Sequence, residues 1–500
     1  MIALQPRDKR IPRIIVNEMC GSTTDEDILF KAQITEWENP KYAKGTIIER
    51  IGVKGNLKNE TTAILSAYQL DVSPFPSSLY KHLLESCAIP EAEFLYREDL
   101  RKECVFTIDP LTARDLDDAV SCKTLSNGNL EVGVHISDVG FYLQEETELD
   151  TMVSKKGTTI YLVENVYHML PVELCSRCSL LPGKDSLTFS VFFEMTENGE
   201  ILNHRFARTI INSCSQLAYE HVQEMLDYRY TFDQANLPPI TNGHNASDIC
   251  EIVNKLMRIS SNLRRKRFDN GALKIDQIKI FFKLDGAGKP VQISKYENIE
   301  AHRLIEELML LANITVAKKI LEDFPDIAFL RRHDAPNPRL MYQTKELLES
   351  IGIHVDITNS STLQTSLENY STTDFLGSVR SAVLNHLLAK PMTQARYFCA
   401  SREDDYKHYA LSVDNYTHFT SPIRRYADIM VHRLLAASLG YSTKPTWETD
   451  YVMAIAANCN KQKYNAKKAG EASTELFLAY YIDQNQPFIQ DAVVVDVKKQ

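Results

Sequence analysis

The chain has 500 residues, of which 44% are hydrophobic and 24% are charged, with 18 glycines and 19 prolines. These proportions exclude a disordered, collagen-like or disulfide-scaffold protein, and the length predicts two or three domains. The formal net charge of −10 argues neither for nor against a nucleic-acid partner, because one basic channel is compatible with an acidic average.

The ten cysteines are scattered along the chain, which is typical of a reduced intracellular protein. Cys175 and Cys178 form a C-x-x-C pair, but no second pair follows at zinc-ribbon spacing, so we do not expect a zinc site there. No apolar run approaches the ~20 residues that cross a bilayer, and the N-terminus has no signal-peptide core. We therefore expect a cytoplasmic protein without a membrane partner.

Short β-rich stretches occupy the first 75 residues and predict part of a β domain. They are Ile11–Val16, Ile28–Ile34 and Gly45–Ile51. The segment Thr62–Leu70 fits either a last strand or a short helix. A connector follows over residues 71–100, in which Pro74 and Pro76 interrupt regular structure and Leu79–Leu84 predicts one helix.

Stronger strand patterns begin near Glu103 and give way to helical patterns in the second half of the chain. Alternating apolar residues and turn dipeptides such as Asn127-Gly128 predict strands and hairpins. The predicted strands are Val105–Ile108, Ala119–Cys122, Leu130–Ile136, Leu187–Met195 and Ile201–Ile211, with a further hairpin that turns at Asp285–Gly288. The predicted helices are Ile299–Leu321, Leu340–Ser350, Phe375–Leu388, Pro422–Leu439 and Val452–Tyr481. A last strand is predicted at Ala492–Val497.

Four aspartates lie within ten residues: Asp109, Asp115, Asp117 and Asp118. Apolar strand-like residues flank the segment, and lysine and glutamate are absent from it, which distinguishes it from an ordinary solvated charge run. In extended backbone Asp115 and Asp117 point to one side and Asp118 points to the other, but a kinked loop could bring all four together. Converging carboxylates repel one another, so they persist only where a cation neutralises them.

Sites that offer only oxygen ligands suit Mg²⁺ or Mn²⁺, which bind a few carboxylates together with substrate phosphate. Such ions activate water and neutralise charge on the departing 3′ oxygen during hydrolysis at phosphorus. The aspartate spacing therefore favours a catalytic Mg²⁺ or Mn²⁺ site over a structural calcium site or a solvated loop, and it leaves these two alternatives open. An EF-hand is excluded, because the required glycine and distal glutamate are missing.

Beyond this segment, the sequence resembles the ribonuclease II (RNB) superfamily of processive 3′→5′ exoribonucleases. The resemblance covers about residues 100–480 and depends on several motifs in the family order. These are Ile108–Ala119, Thr159–Leu162 with Met169–Pro171, Glu306–Asn313, Leu330–His333, and Thr417–Asp428 followed by His432-Arg433. The residues of these motifs are most similar to those of the eukaryotic Dis3-like branch, and within it to the cytoplasmic, exosome-independent type that favours 3′-oligouridylated RNA.

The resemblance implies an α+β fold in which a mixed β-sheet surrounded by helices encloses an RNA channel. It implies the end of a second cold-shock (OB-like) barrel over residues 1–75 and a connector over 76–100. The RNB catalytic domain would cover 101–485, and a truncated S1 domain would begin within 486–500. The implied protein is a monomer in cytoplasmic mRNA decay that hydrolyses single-stranded RNA to nucleoside 5′-monophosphates. It would use Mg²⁺ or Mn²⁺ and no other small-molecule cofactor.

The resemblance also implies roles for individual residues. Asp109 and Asp118 match the metal ligands of the family, and Asp115 takes a supporting acidic position at the same metal. Asp117 matches the carboxylate whose loss stops hydrolysis while RNA stays bound. Arg424 matches the arginine that steadies the scissile phosphate, a role that suits the bidentate fork of a guanidinium.

Other positions bear on RNA binding. Tyr161 matches the aromatic residue that stacks on a base at the 3′ end. Either Glu306 or Glu307 bears on the metal site or the terminal ribose, and the sequence leaves that choice open. The second stacking ring of the bacterial enzyme would fall near Gly271–Lys274, where this chain has no aromatic residue, and Arg264–Arg267 is either a solvated face or a guide for phosphates. The alternative function is a catalytically inactive RNA-binding protein of the same fold, which the intact aspartate set opposes.

Overall fold

The computed structural model describes residues 2–16, 27–84, 89–228, 234–371 and 375–494. Cys20 and Cys87 lie outside these ranges, as does the end of the strand predicted at Ala492–Val497. The described part of that segment, residues 492–494, is not a strand, so the prediction is wrong there.

The N-terminal region is a four-stranded sheet followed by a helix. Its strands are β1 (Ile2–Leu4), β2 (Arg13–Val16), β3 (Ile28–Asn39) and β4 (Tyr42–Val53), in the spatial order β1-β2-β4-β3. Helix α1 (Leu57–Ala67) shows that the helical reading of Thr62–Leu70 was the right one. The Asn56 side chain caps this helix by accepting the N–H of Asn59.

The connector holds short 3₁₀ turns in place of the helix predicted at Leu79–Leu84. They are Ser77–Leu79, Lys81–Leu84 and Glu91–Leu95. Pro76 and Pro90 directly precede two of them. Proline fixes φ near the helical value but lacks an N–H, so it starts a turn readily and does not support a longer helix across it.

The remaining strands and helices follow in sequence. The strands are β5 (Glu98–Asp99), β6 (Thr107–Asp109), β7 (Asp118–Thr124), β8 (Leu130–Ser137), β9 (Ile160–Tyr161), β10 (Val166–Tyr167), β11 (Asp185–Met195), β12 (Ile201–Asn212), β13 (Gln216–Ala218), β14 (Ile280–Leu284), β15 (Pro290–Lys295), β16 (Phe329–Arg332) and β17 (Arg396–Cys399). The helices are α2 (Val139–Tyr142), α3 (Glu148–Lys156), α4 (Val172–Cys178), α5 (Tyr219–Tyr228), α6 (Ala246–Asp269), α7 (Glu300–Asp323), α8 (Pro338–Ser350), α9 (Ser360–Glu368), α10 (Phe375–Ala389), α11 (Tyr426–Ser438) and α12 (Thr449–Gln484). None of the helices in the described ranges is long and apolar enough to cross a membrane.

A five-stranded mixed sheet forms the centre of the fold, in the order β5-β12-β11-β8-β7. The hairpins β7–β8 and β11–β12 turn at Gly128 and Gly199, which have φ of +84° and +71°. Glycine adopts such positive φ values without steric cost, which is why the Asn-Gly dipeptides predicted both turns. Helices surround the sheet, so the expected α+β class is confirmed.

Helix α11 is buried on every side and lies against α2, α7, α12 and β16. It begins at Tyr426, four residues later than the helix predicted from Pro422. The difference has a local cause, because the N–H groups of Ser421 and Ile423 donate to the side chains of Asp428 and Asp117 at 2.7 and 2.8 Å. Residues 422–425 therefore form an irregular turn in front of the helix.

A buried ion-pair cluster joins α6 to α7. Glu307 on α7 is 3% exposed, and its carboxylate accepts hydrogen bonds from Arg264 at 3.3 Å and from Arg267 Nε at 3.1 Å. These two arginines belong to the Arg264–Arg267 run, so half of that run has a structural role in helix packing.

Replacing Glu307 by Gln keeps the shape of the side chain but leaves two largely buried guanidinium groups without their carboxylate. We expect the free energy of unfolding to fall by about 2–4 kcal/mol. The matched control is Glu322→Gln, an exposed position of the same helix, for which a change within about 0.5 kcal/mol is expected. Urea denaturation measures both variants, and equal losses would contradict the assigned role of Glu307.

Candidate active site

The segment of four aspartates closes into a loop at one end of the central sheet. Phe106 and Val120 exchange both backbone hydrogen bonds, at 3.2 and 2.9 Å, and so pair the two ends of the loop. Asp109 ends β6 and Asp118 begins β7, so this pairing places the two residues side by side. Hydrogen bonding of β6 to β13 and of β7 to β8 holds both positions.

Leu116 produces the kink in this loop. Its side chain is fully buried in an apolar cluster with Leu180 and Phe192, and its N–H donates to Ser179 Oγ at 3.2 Å. Burying Leu116 on one side of the chain turns the neighbouring Asp117 into the interior, where it is 4% exposed.

Asp117 is bonded to the distant turn in front of α11. One carboxylate oxygen accepts the N–H of Ile423 at 2.8 Å, and the other accepts Arg424 Nε at 3.3 Å. Arg424 also donates from Nη2 to Ser421 Oγ at 2.8 Å. The guanidinium is therefore held at the acidic loop although its side chain remains 43% exposed.

The segment that carries Tyr161 runs beside the same turn. The N–H of Thr159 donates to the carbonyl of Arg424, and the N–H of Tyr426 donates to the carbonyl of Gly157, both at 3.0 Å. Tyr161 is 49% exposed. All six residues predicted for the site line one cleft of about 1440 Å³: Asp109, Asp115, Asp117, Asp118, Tyr161 and Arg424.

Three of the four aspartates interact electrostatically. Burial raises the pKa of Asp117 to about 7, although Arg424 acts in the opposite direction. Burial likewise raises the pKa of Asp118 to about 6, again opposed by Arg424. Burial and the neighbouring Asp118 raise the pKa of Asp109 well above its usual range. The protein therefore holds this group of carboxylates in an environment that disfavours their charged forms.

This group fits a hard divalent cation. Asp109 Oδ2 is buried and has no hydrogen-bond partner, which leaves a lone-pair site that a cation would satisfy. The donors are all carboxylate oxygens, the ligand type of Mg²⁺ and Mn²⁺. Asp109 and Asp118, with Asp117 adjacent, are the residues placed to hold such an ion.

Asp115 has different partners. Its carboxylate lies 2.9 Å from Nδ1 of His168, and hydrogen bonding to Asp115 raises the pKa of this histidine. The ligand-type atoms of Asp115, His168 and Cys175 lie within 4.8 Å of one another. Asp115 thus shares the cleft with the other aspartates while its side chain contacts a separate cluster.

The structure distinguishes the two glutamates that the sequence left open. Glu306 lines the cleft, whereas Glu307 is the buried partner of Arg264 and Arg267. Sequence reasoning also missed three aromatic residues of the cleft wall: Tyr219, Tyr296 and His302. The rings of Tyr219 and His302 stack at 4.0 Å, and Tyr296 meets His302 at 5.2 Å. Tyr219 belongs to a part of the chain distant from Tyr296 and His302, so no local pattern indicates the group.

The sequence of this chain matches two known protein families. Residues 97–441 match the family described as the RNB domain, and residues 1–69 match the Dis3-like cold-shock domain 2 (CSD2).

The chain belongs to the RNB family.

Several curated relatives of this chain are named DIS3-like exonuclease 2. The protein from Xenopus tropicalis is 42% identical over 98% of this chain and 61% of its own length. The protein from Caenorhabditis elegans is 40% identical over 98% of this chain and 60% of its own length. The chain therefore spans about three fifths of the length of these curated relatives.

Solved structures of other proteins share the fold. Mycoplasma genitalium RNase R in complex with ribose methylated single-stranded RNA has a TM-score of 0.81 at 22% identity, covering 95% of this chain and 72% of that one. Yeast Ssd1, described as a pseudonuclease, has a TM-score of 0.76 at 22% identity, covering 95% and 58%. The same architecture thus occurs in a ribonuclease and in a protein described as a pseudonuclease.

The raised pKa values predict how stability depends on pH. Because the folded state binds protons on Asp117 and Asp118 more tightly than the unfolded state, the free energy of unfolding should fall as pH rises. In EDTA we expect these groups to contribute a fall of about 4 kcal/mol between about pH 5 and about pH 8. Saturating Mg²⁺ should remove most of it, as measured by thermal unfolding.

The control is Asp118→Asn, which carries no titratable group at that position and should show a shallower pH dependence in EDTA. An equal effect of Mg²⁺ on the wild type and on this variant would contradict the metal site.

Proposed function

We propose that this chain is the catalytic part of a metal-dependent exoribonuclease. It hydrolyses single-stranded RNA from the 3′ end and releases nucleoside 5′-monophosphates. The observation that carries the proposal is the bond between buried Asp117 and Arg424, which joins a carboxylate group suited to a divalent cation and a phosphate-binding guanidinium in one cleft. Family membership and the names of the relatives support the same reaction class.

Each residue then has a defined task. Asp109 and Asp118 would hold Mg²⁺ or Mn²⁺, with Asp115 as a supporting acidic group, and such an ion would supply an activated water and charge neutralisation at the departing 3′ oxygen. Asp117 fixes the orientation of Arg424 and closes the site against bulk water. Arg424 binds the scissile phosphate and stabilises the charge that develops there.

Tyr161 provides a surface for a base. A half-exposed ring at the cleft wall stacks on any base, and such stacking contributes about 1–3 kcal/mol per base without sequence preference. As the resemblance of the sequence implies, we extend the proposal to 3′-oligouridylated RNA as the preferred substrate, mRNA decay as the process and the cytoplasm as its place. The two family matches support a cold-shock part within residues 1–75 and an RNB domain within residues 101–485.

The competing function is RNA binding without hydrolysis. Two comparisons favour considering it: Ssd1 is described as a pseudonuclease, and a relative from Arabidopsis thaliana, 34% identical, is named Inactive exonuclease DIS3L2. Against it, this chain keeps the aspartates and the arginine in one cleft. Activity measurements separate the two functions.

Oligouridylate labelled at its 5′ end provides the test. With Mg²⁺ we expect progressive shortening and release of uridine monophosphate, and EDTA should stop both. Asp117→Asn should slow cleavage by at least about 100-fold, since its loss frees Arg424 and the turn before α11, while RNA affinity stays within about threefold. The matched control is Asp404→Asn, an exposed residue outside the cleft, which should retain both properties.

Two results would contradict the proposal at different points. If the wild type binds RNA but releases no mononucleotide, with or without EDTA, the inactive RNA-binding function is correct. If Asp117→Asn cleaves at the wild-type rate, the role assigned to Asp117 is wrong even though the reaction stands.

A further inference from the structure

A second cavity, of about 280 Å³, adjoins the cleft next to Arg424. We call it the side pocket. Its lining includes four cationic residues and, among the described residues, no carboxylate: Arg424, Arg425, Lys463 and Lys467 provide the positive charge. Tyr161, Arg424 and Arg425 line both the cleft and the side pocket. The two spaces are therefore neighbours that share a ring and two guanidinium groups.

Helix α12 forms one wall of the side pocket. Lys463, Lys467 and Gly470 lie four and three residues apart, which places them on one face of the helix. A side chain at Gly470 would approach the carbonyl oxygen of Tyr161 to 3.2 Å. The absence of that side chain lets the helix pack closely against the segment that carries Tyr161, which brings the two lysines to the edge of the cleft.

The positive charge around the side pocket is only partly compensated. Lys463 is partly buried, its amine lies 5.6 Å from the centre of the Tyr397 ring, and no carboxylate of the described residues forms an ion pair with it. Arg331 lies 4.9 Å from the same ring and is 8% exposed. Its Nη1 is buried without a hydrogen-bond partner. Arg331 and Lys463 thus share one aromatic ring, and neither forms an ion pair with a carboxylate in the part of the chain that the structure describes.

Two acidic groups near the side pocket already have partners. Glu471 lies 3.8 Å from Lys467 on the same helix, and Asp428 is bonded to the turn before α11. Both oxygens of Asp428 accept hydrogen bonds from Arg425 at 2.8 Å, and one of them also accepts the N–H of Ser421 at 2.7 Å. Burial and the nearby Arg331 and Arg425 lower the pKa of Lys463 to about 6, so its amine gives up a proton near neutral pH and would take it up again when an anion binds beside it. Buried positive charge without a partner is unfavourable, and an anion placed among these groups would relieve it.

We propose that the side pocket binds a backbone phosphate of the incoming RNA strand, adjacent to the base that stacks on Tyr161. This inference rests on the proposed function, because it assumes that RNA enters the cleft. A ring that faces both spaces can hold a base while the neighbouring phosphate lies among Lys463, Lys467 and Arg425. The contact is to the phosphate and carries no base specificity, so it serves to hold the strand during repeated cleavage.

Binding of labelled octauridylate in EDTA tests the proposal. Lys463→Met should weaken octauridylate binding about tenfold. The slope of log affinity against log salt concentration should become less negative by about 0.7. Lys463→Arg keeps the charge and should retain most of the affinity. The matched control is Lys461→Met, which removes the same charge from an exposed position of the same helix and should change neither quantity.

The released product has the same phosphate chemistry as the strand, so uridine monophosphate is measured in parallel. Its affinity should be equal for the wild type and Lys463→Met, because the scissile phosphate lies at Arg424. A loss of product affinity as large as the loss of octauridylate affinity would overturn the proposal in favour of a product site. Equal octauridylate affinity for Lys463→Met and Lys461→Met would overturn it outright.

These outcomes are separate from those of the proposed function, because the binding test needs no hydrolysis. If the wild type binds octauridylate but does not cleave it, the proposed function fails and the side pocket can still be judged. Folding is checked by thermal unfolding, in which Lys463→Met should melt no lower than the wild type because methionine keeps the length of the apolar stem and removes a poorly solvated amine.

Discussion

The hydrogen bonds of Asp117 join two parts of the chain that are 307 residues apart. One carboxylate receives the backbone N–H of Ile423 and the guanidinium of Arg424. This contact brings the acidic loop and the turn before α11 to the two sides of one cleft. The function proposed for the cleft depends on this contact. Carboxylates by themselves can bind only a cation, and a guanidinium by itself can bind only a phosphate, so the two must lie in one cleft to act on the same substrate.

The surrounding fold keeps this contact in place. Asp428, fully buried on α11, binds both Ser421 and Arg425, and Asn313 on α7 accepts the N–H of Phe419 at 2.7 Å. The turn thus has bonds to its own helix, to a neighbouring helix and to the acidic loop. Since a catalytic group must be held before the substrate arrives, this rigidity is what the chemistry requires. The same packing buries a group of carboxylates, and this group is stable only when a cation or protons neutralise its charge.

Local sequence predicted the acidic loop and most strands and helices, because strand alternation, Asn-Gly turns and helical periodicity are local properties. It did not predict the direction of each aspartate. Asp115 contacts His168 instead of the other three, and this outcome depends on burial of Leu116 in a cluster that includes distant residues. The roles of Glu306 and Glu307 likewise depend on which face of α7 meets α6. Arg424 was found only through the resemblance to a family, since nothing near it in the sequence indicates a distant carboxylate partner.

The most direct test of the metal site is a crystal structure with Mn²⁺ and an uncleavable oligouridylate, read from the anomalous signal of the metal. The account predicts Mn²⁺ within coordination distance, about 2.0–2.3 Å, of carboxylate oxygens of Asp109 and Asp118. It also predicts a phosphate oxygen of the RNA between the ion and the Arg424 guanidinium. Mn²⁺ found only at Asp115, His168 and Cys175, or RNA phosphate bound away from Arg424, would contradict it.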